Sequence, residues 1–275
     1  MGRGFSSSSS YVYLLGDSRA ESERLRRQAE LWDPVAHALF DRLRVKRGMR
    51  VLEIGPGRGS LHLELRRRVR GPVDAVERSE RFVQHLGVVT RRDGFGPGVF
   101  WQGDLIDAAL PDGRYDLVFA RWVFLFLPDP EAHLRKLVRA LKPGGRIAIE
   151  DYLRGSMALV PYPPEWDDFA RADRAFFATQ GGDANIGGRL PELYRRVGLT
   201  VEEAVPTTRM GHPGSPAWKW MTEYFLGVMG RYGELPPFTP AAARSLRARW
   251  LAAQRYATSF VIGPTVLDVV GRKRG

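Results

Sequence analysis

Short apolar runs alternate with amphipathic segments over residues 44–152. The runs carry no regular polar alternation, which is typical of strands covered on both faces of a parallel sheet. Between them, apolar positions recur at helical spacing, as in Leu134, Leu137, Val138 and Leu141. The pattern predicts strands at 49–55, 73–77, 99–105, 115–122 and 146–152, helices at 60–69, 78–87 and around 134–141, and a turn at 142–145. Strands separated by helices favour a doubly wound α/β domain.

The flanking segments predict a helical lid around this domain. Apolar spacing indicates one helix from Ala20 to Trp32 and a second from Val35 to Leu43, divided by Pro34. Further along, the pattern predicts a helix at 190–197, a strand at 201–209, helices at 216–232 and 240–257, and a last strand at 266–273. We therefore expect a Rossmann-like, mostly parallel seven-stranded sheet. Its predicted parts are a flexible tail (1–10), lid helices (11–43), a core (44–152, completed by 187–210 and 259–275) and lid or substrate-binding insertions (153–186 and 211–258).

Composition removes several classes of protein. The chain has 275 residues and no cysteine, so disulfide and thiolate chemistry are excluded. No apolar run is long enough to cross a bilayer, and the first ten residues lack the apolar core of a secretory signal, so we predict a soluble cytoplasmic protein. The net charge of +11 raises nucleic acid as a partner. Because the arginines are scattered, we expect a small-molecule substrate rather than nucleic acid or membrane, in a monomer or homodimer.

The segment VLEIGPGRGS, residues 51–60, holds the main candidate binding site. A strand that ends in glycine-rich backbone and opens a helix offers free N–H groups to a ligand. A dinucleotide fingerprint would place its third glycine at position 60, which is Ser60 here. Glu53, two residues before Gly55, would repel a pyrophosphate and attract an ammonium group. The ligand is therefore expected to be cationic at that end, although a tight turn without a ligand is the alternative.

These residues resemble motif I of the class I methyltransferases that use S-adenosylmethionine, small-molecule (type 11/25-like) group. The motif is carried by Glu53, Gly55, Gly57 and Gly59, and the resemblance extends in register over residues 44–151. It implies that Glu77 accepts both ribose hydroxyls and that Asp104 receives the adenine amino group. The cofactor-binding residues it implies are Glu53, Gly55, Gly57, Gly59, Glu77, Arg78, Gly103, Asp104, Leu105 and Arg121.

The resemblance implies direct displacement at a sulfonium methyl group, for which a general base is optional. Relatives often carry a histidine shortly after the fourth strand, where this chain has Phe124 and Phe126. The catalytic residue therefore stays unknown, and the candidates are Tyr152, His212 and His37. Surface roles are expected for His62, His85 and His133. We expect no metal, because Arg121 occupies the region where metal-dependent members present carboxylates. Three roles stay open for Arg121: its backbone contacts the cofactor, its side chain contacts an acidic substrate, or it is a surface residue.

The remaining candidates concern the substrate. The N-terminal segment resembles the leading helices of small-molecule methyltransferases, which gives Tyr11, Tyr13, Arg24, Gln28 and Trp32 as lid contacts, with core packing favoured for Trp32. Tyr162 and Trp166 belong to an aromatic set that suggests an enclosed apolar pocket. The predicted function is methylation of a small hydrophobic or aromatic metabolite, with oxygen slightly favoured as the acceptor. The alternatives are a non-methylating rearrangement or cyclisation promoted by the same cofactor, and RNA methylation.

Overall fold

A computed structural model describes the chain from residue 19 to residue 275, with side chains from residue 26 onward. The predicted tail 1–10 and the candidates Tyr11 and Tyr13 lie outside the described residues, as does the side chain of Arg24. The helices are α1 (Arg19–Arg42), α2 (Ser60–Val69), α3 (Glu80–Val89), α4 (Pro130–Ala140), α5 (Trp166–Thr179), α6 (Ile186–Arg196), α7 (Pro216–Tyr232) and α8 (Pro240–Ala253). The strands are β1 (Val51–Ile54), β2 (Asp74–Glu77), β3 (Phe100–Gln102), β4 (Tyr115–Arg121), β5 (Leu141–Leu153), β6 (Ala158–Val160), β7 (Leu199–Thr207), β8 (Met210–Gly211), β9 (Phe260–Ile262) and β10 (Thr265–Lys273).

Seven strands form one mixed, mostly parallel sheet in the order β3-β2-β1-β4-β5-β10-β7. The ladders from β3 to β5 are parallel, whereas β10 runs antiparallel to both β5 and β7. The predicted α/β fold is confirmed. Because β1 to β5 and β7 all point the same way, their carboxyl ends meet at one edge of the sheet, where ligands of open α/β sheets bind.

Helices cover both faces of the sheet. On one face, α1 and α2 pack through Ala36, Leu39, Leu61 and Leu65 onto strand residues that include Phe119. Phe40 meets Phe119 edge to face, with ring centroids 4.9 Å apart. The other face carries α4 and α6 and continues into the apolar interior of α5, α7 and α8. The strand burial that the apolar runs predicted follows from this double cover.

The N-terminal segment is one helix, not the two that Pro34 predicted. α1 runs from Arg19 to Arg42 with Pro34 inside it. Proline removes one intrahelical hydrogen bond and costs about 3 kcal/mol in a helix interior. The residues on either side are deeply buried, with Trp32 1% exposed and Ala36, Leu39 and Phe40 0% exposed. Burial of this continuous face offsets the cost of the proline, so the helix does not stop.

A second, smaller sheet lies beyond the carboxyl edge of the first. It has the order β6-β9-β8 and packs with α7. Residues 210 and 260–262 belong to it and not to the core, to which the sequence analysis assigned them. The predicted helix 240–257 ends at Ala253. The expected turn at 142–145 lies inside β5, where Gly144 has a φ of 77° and the ladder to β4 shifts register.

Within residues 19–275, none of the helices has the length and apolar character needed to span a membrane.

Candidate active site

The glycine turn between β1 and α2 has three glycines in left-handed backbone conformations. Gly55, Gly57 and Gly59 have φ values of 66°, 53° and 82°. A Cβ added at Gly55 would lie 2.5 Å from Val123, and one at Gly59 would lie 2.6 Å from Leu86. At Gly57 an added Cβ would meet no atom within 4 Å. Gly55 and Gly59 are thus required by neighbouring side chains, while Gly57 faces open space.

The helix that follows this turn has uncapped N–H groups. Gly59 is the N-cap of α2 and supplies no side-chain hydrogen bond, and no acidic residue lies in the first turn. Free N–H groups at a helix N-terminus attract acceptor or anionic groups. The open space in front of Gly57 and this helix end together form a cradle that a ligand can enter.

Glu53, predicted to attract an ammonium group, has a buried carboxylate that contacts a histidine. Its side chain is buried, and Oε2 lies 2.8 Å from Nδ1 of His62 on α2. His62 is 0% exposed, and His133 is buried as well, so the surface roles expected for them are wrong. His85 is exposed as expected. Burial follows from the inward face of α2, where His62 lies beside Leu61 and Leu65.

Glu77 connects the end of β2 to the glycine turn. Its carboxylate accepts hydrogen bonds from the backbone N–H of Gly57, at 3.0 Å, and of Ser79, at 2.8 Å. Burial raises the pKa of Glu77, while the backbone hydrogen bonds act in the opposite direction. The carboxylate therefore lies directly beside the open position at Gly57.

Asp104 and Arg78 lie at the next strand end. Arg78 Nε is 3.0 Å from Asp104 Oδ1, and both side chains are about half exposed, at 48% and 51%. Gly103 has a φ of 130° and open space at its Cβ position, whereas Leu105 is buried. Glu77 pairs with Gln102 in the β2–β3 ladder, so the strand-end candidates on β1, β2 and β3 share one edge.

Arg121, at the end of β4, is held by α1 and is not a surface residue. Its Nη2 donates to Oδ1 of Asp33 at 2.7 Å, and its side chain is 12% exposed. The guanidinium lies over the ring of Trp122, with 4.5 Å from Cζ to the ring centroid. Glu150, its partner in the β4–β5 ladder, is fully buried, and burial raises its pKa well above the usual range, which favours the neutral carboxyl group.

Trp122 and Tyr152 form an aromatic stack where β4 and β5 end. Their ring centroids are 5.4 Å apart and the planes differ by 8°. Trp122 has a φ of 55°, a left-handed conformation that is uncommon for a bulky residue. Of the three candidate bases, Tyr152 lies in this group. Trp122 was missed from the sequence because nothing local signals its backbone conformation.

The other two candidate bases lie elsewhere. His212 is exposed beside the small sheet, with Nδ1 3.2 Å from the carbonyl oxygen of Ser259. The carbonyl oxygen of His37 accepts from Arg68, in the last turn of α2, at 3.3 Å. Because α2 runs back from the carboxyl edge, its last turn is at the opposite edge of the sheet. His37 is therefore remote from the glycine turn.

Some of the lid candidates also lie at the strand ends, and others do not. Trp32 meets Trp122 and Trp220 edge to face, at 6.2 and 5.7 Å, and Gln28 accepts from Trp220 Nε1 at 3.4 Å. Tyr162 is 56% exposed, donates to Asp167 and meets Trp166 edge to face, with ring centroids 6.4 Å apart. Trp166 is buried inside the layer formed by α5, α7 and α8, where it packs on Phe169 and Phe225. The structure brings Trp32 and Gln28 to the strand ends but not Tyr162 or Trp166.

Asp151, also missed from the sequence, is buried on the face of β5 opposite Glu150. Its oxygens accept from the backbone N–H of Tyr152, at 2.8 Å, and of Leu125, at 3.1 Å, which anchors the turn after β4. Burial raises its pKa to about 7. Two adjacent acids within an apolar strand, Glu150 and Asp151, were the signal that could have identified both positions.

Comparison with known proteins shows the family of the chain. A family profile described as "Methyltransferase domain" matches residues 52–149. Nocamycin O-methyltransferase of Saccharothrix syringae is 31% identical over 256 residues, which cover 90% of this chain and 86% of that protein. The chain belongs to this methyltransferase family. It is a class I S-adenosylmethionine-dependent methyltransferase.

Solved structures share the fold of the methyltransferase at low sequence identity. A putative methyltransferase from Bacillus halodurans C-125 superposes with a TM-score of 0.58 at 15% identity, over 86% of this chain and 98% of the other. The [4+2]-cyclase SpnF superposes with a TM-score of 0.55 at 18% identity, over 88% of this chain and 81% of the other. At these identities the likeness concerns the fold alone.

The described part of the methyltransferase, residues 19–275, contains no group of three or more His, Asp or Glu side chains that could hold a metal ion.

Proposed function

We propose that this methyltransferase transfers the methyl group of S-adenosylmethionine to an oxygen of a small hydrophobic or aromatic metabolite, without a metal. The observation that carries the proposal is the glycine turn, whose middle residue Gly57 faces open space beside the buried carboxylate of Glu77. Nocamycin O-methyltransferase, the relative described above, supports a small-molecule acceptor oxygen by its name.

The cofactor-binding roles follow from the strand ends. We assign the ribose hydroxyls to Glu77, whose carboxylate now accepts from Gly57 and Ser79. Asp104, half exposed after β3, suits a hydrogen bond from the adenine amino group, with Arg78 beside it. Gly103 and Leu105 flank it, and the uncapped end of α2 offers N–H groups to the cofactor. The pairing of Glu53 with His62 supports a role for Glu53 in fixing the glycine turn on α2.

The bound cofactor supplies a methyl carbon made electrophilic by the attached sulfonium. The protein then has to hold the acceptor in line and exclude water, an effect that can lower a barrier by roughly 7–11 kcal/mol. The ring wall formed by Trp32, Trp122 and Tyr152 suits this purpose, because it places apolar surface at the ends of β4 and β5. We propose that α1 and the layer of α5, α7 and α8 act as the lid over this position.

The cofactor proposal is tested with Gly57→Arg and a matched control, Gly94→Arg. Both glycines have a positive φ and open space at the Cβ position, so the backbone strain is similar. Isothermal calorimetry with S-adenosylhomocysteine should show at least a tenfold weaker affinity, about 1.4 kcal/mol, for Gly57→Arg alone. If the unaltered protein does not bind S-adenosylhomocysteine or S-adenosylmethionine, the proposal fails.

The transfer itself is tested by following S-adenosylhomocysteine formation with a panel of phenols, enols and carboxylic acids. Methyl transfer predicts one S-adenosylhomocysteine for each product molecule. Product formed without S-adenosylhomocysteine would replace transfer by a rearrangement or cyclisation. Salt-sensitive binding to RNA near physiological ionic strength would instead favour RNA as the substrate.

A further inference from the structure

Four side chains with N–H donors lie in contact at the carboxyl ends of β4 and β7. Arg121 lies over Trp122, Trp122 meets Trp32 edge to face, and Arg209 lies over Trp32, with 5.7 Å from Cζ to the ring centroid. Arg209 lies two residues after the end of β7, and its Nη2 donates to the carbonyl oxygen of Leu31 at 3.3 Å. We call Trp32, Arg121, Trp122 and Arg209 the donor cluster.

Each member of the donor cluster has a buried donor that is not used within residues 19–275. These atoms are Trp32 Nε1, Trp122 Nε1, Arg121 Nη1 and Arg209 Nε. The indoles of Trp166 and Trp250 donate to Met157 and Thr222, at 3.0 and 2.9 Å, although that of Trp218 does not donate. An unsatisfied buried donor costs about 1–3 kcal/mol. Four unsatisfied donors in one contiguous group of side chains therefore lower the stability of the protein unless a ligand supplies an acceptor.

The cluster is also positively charged. Asp33 neutralises Arg121, whereas Arg209 makes no ion pair with any residue that the structure describes. Glu150, next to Arg121 in the sheet, is fully buried, and burial raises its pKa, so it adds little negative charge; its two carboxyl oxygens also lack a hydrogen-bond partner among the described residues. The donor cluster thus combines unused N–H donors with one cation that has no ion-pair partner among the described residues, a combination that suits an acceptor-only group.

We propose that the donor cluster binds the reacting oxygen of the substrate as an anion, which makes the substrate an acidic oxygen compound: an enol, a phenol or a carboxylic acid. This inference rests on the proposed methyl transfer. The field of Arg209 and the N–H donors stabilises the oxyanion, so its proton goes to solvent on binding and no side-chain base is needed. The oxygen then forms its bond to the methyl carbon while the carbon–sulfur bond breaks, and the electron pair stays on sulfur.

The test uses 4-nitrophenol, whose anion absorbs visible light, with the S-adenosylhomocysteine complex of the full chain. A spectroscopic pH titration should show the pKa of the bound phenol lowered by about one unit, a tenfold preference for the anion. The neutral ether 4-nitroanisole should bind at least tenfold more weakly than the anion. Absence of binding by 4-nitrophenol, or an unshifted pKa, would overturn the proposal.

Substitutions in the donor cluster test whether it causes the lowered pKa of the bound phenol. Arg209→Gln should abolish most of the shift, whereas Arg209→Lys, which keeps the charge, should retain most of it. Trp122→Phe keeps a stacked ring, removes one N–H donor and should weaken anion binding severalfold. The matched control is Arg195→Gln, a residue on α6 whose side chain is 73% exposed and which should leave the shift unchanged. A full shift in both Arg209→Gln and Trp122→Phe would contradict the proposal.

A second arm separates the substrate from the cofactor, since the carboxylate of S-adenosylhomocysteine has the same acceptor chemistry. Calorimetry compares S-adenosylhomocysteine with methylthioadenosine, which lacks the amino-acid group. Equal affinities of Arg209→Gln and the unaltered chain for S-adenosylhomocysteine support the substrate assignment. If Arg209→Gln instead loses affinity for S-adenosylhomocysteine but not for methylthioadenosine, the donors bind the amino-acid group of the cofactor, and the inference is overturned. If neither compound binds to the unaltered chain, the proposed function fails instead.

Discussion

Two buried polar groups lie on either side of Tyr152 and differ in one respect. On one side is the donor cluster. On the other is the Arg154 cluster, formed by Arg154, Asp173, Tyr224 and Tyr232. Arg154 donates to both carboxylate oxygens of Asp173, at 2.8 and 2.7 Å, and the two tyrosine hydroxyls donate to Oδ1, at 2.9 and 3.1 Å. No buried side-chain polar atom of the Arg154 cluster lacks a partner among the described residues, whereas four atoms of the donor cluster do.

This difference in hydrogen-bond pairing indicates a structural role for the Arg154 cluster and a binding role for the donor cluster. The Arg154 cluster joins the end of β5 to α5 and α7, and a fully paired network of this kind fixes one arrangement of the elements it connects. In the donor cluster one buried N–H donor of each member stays unused, at the same edge of the sheet. Tyr152 contacts both: Arg154 lies over its ring at 5.5 Å, and Trp122 stacks on it at 5.4 Å. The rigid cluster therefore supports the open one through this ring.

The largest expected effect comes from breaking the paired cluster. Asp173→Asn leaves the buried guanidinium of Arg154 without its counter-charge, which costs about 3–5 kcal/mol of unfolding free energy. Urea denaturation measures the loss. Asp168→Asn, on the exposed side of the same helix, is the control and should change the unfolding free energy by less than about 0.5 kcal/mol. Equal effects of the two changes would refute the structural role.

A pH titration of stability tests Asp151, the residue before Tyr152. Its pKa is raised from 3.8 in the unfolded chain to about 7 in the folded protein, so the stability it contributes is present at low pH and is lost as pH rises through 7. Between pH 5 and 8 the unfolding free energy should fall by about 3 kcal/mol. Most of the fall occurs over the roughly two pH units between pH 5 and the pKa of the folded state.

The measurement compares urea unfolding of the unaltered chain and Asp151→Asn at several pH values over that interval. The decrease in unfolding free energy with pH should be smaller in the variant by about this amount. Asp168→Asn should keep the full decrease. A variant whose pH dependence equals that of the unaltered chain would show that Asp151 is ionised throughout.

The smallest expected effect is a difference in stability between substitutions at two equally buried tryptophans. Trp32 and Trp166 are both 1% exposed, but only Trp166 Nε1 has an acceptor, the carbonyl oxygen of Met157. Both Trp→Phe changes remove similar ring volume, and Trp166→Phe additionally leaves a buried carbonyl unpaired. Trp166→Phe should therefore destabilise the protein by about 1–3 kcal/mol more than Trp32→Phe in thermal and urea unfolding. The reverse order would remove the distinction between the two clusters.

Much of the fold could be predicted from local pattern. The helices 60–69 and 216–232 have the bounds that the sequence predicted, and the apolar runs identified the parallel strands. The prediction failed where distant packing decides, as at Pro34, which α1 accommodates because Ala36, Leu39 and Phe40 are buried against the sheet and α2. It failed again at His62, which the pattern placed on a surface and the fold places against Glu53.

By itself, the sequence determined the α/β fold and the position of the glycine turn. Those features depend on the alternation of apolar and polar residues and on glycines that allow left-handed backbone. Only the tertiary structure decided which polar groups find partners. Arg121 meets Asp33 across 88 positions of the chain, and Arg209 meets Trp32 across an interval still longer, while their remaining donors stay unpaired. Such pairings depend on how distant elements approach in space, which the periodicity of a single segment does not encode.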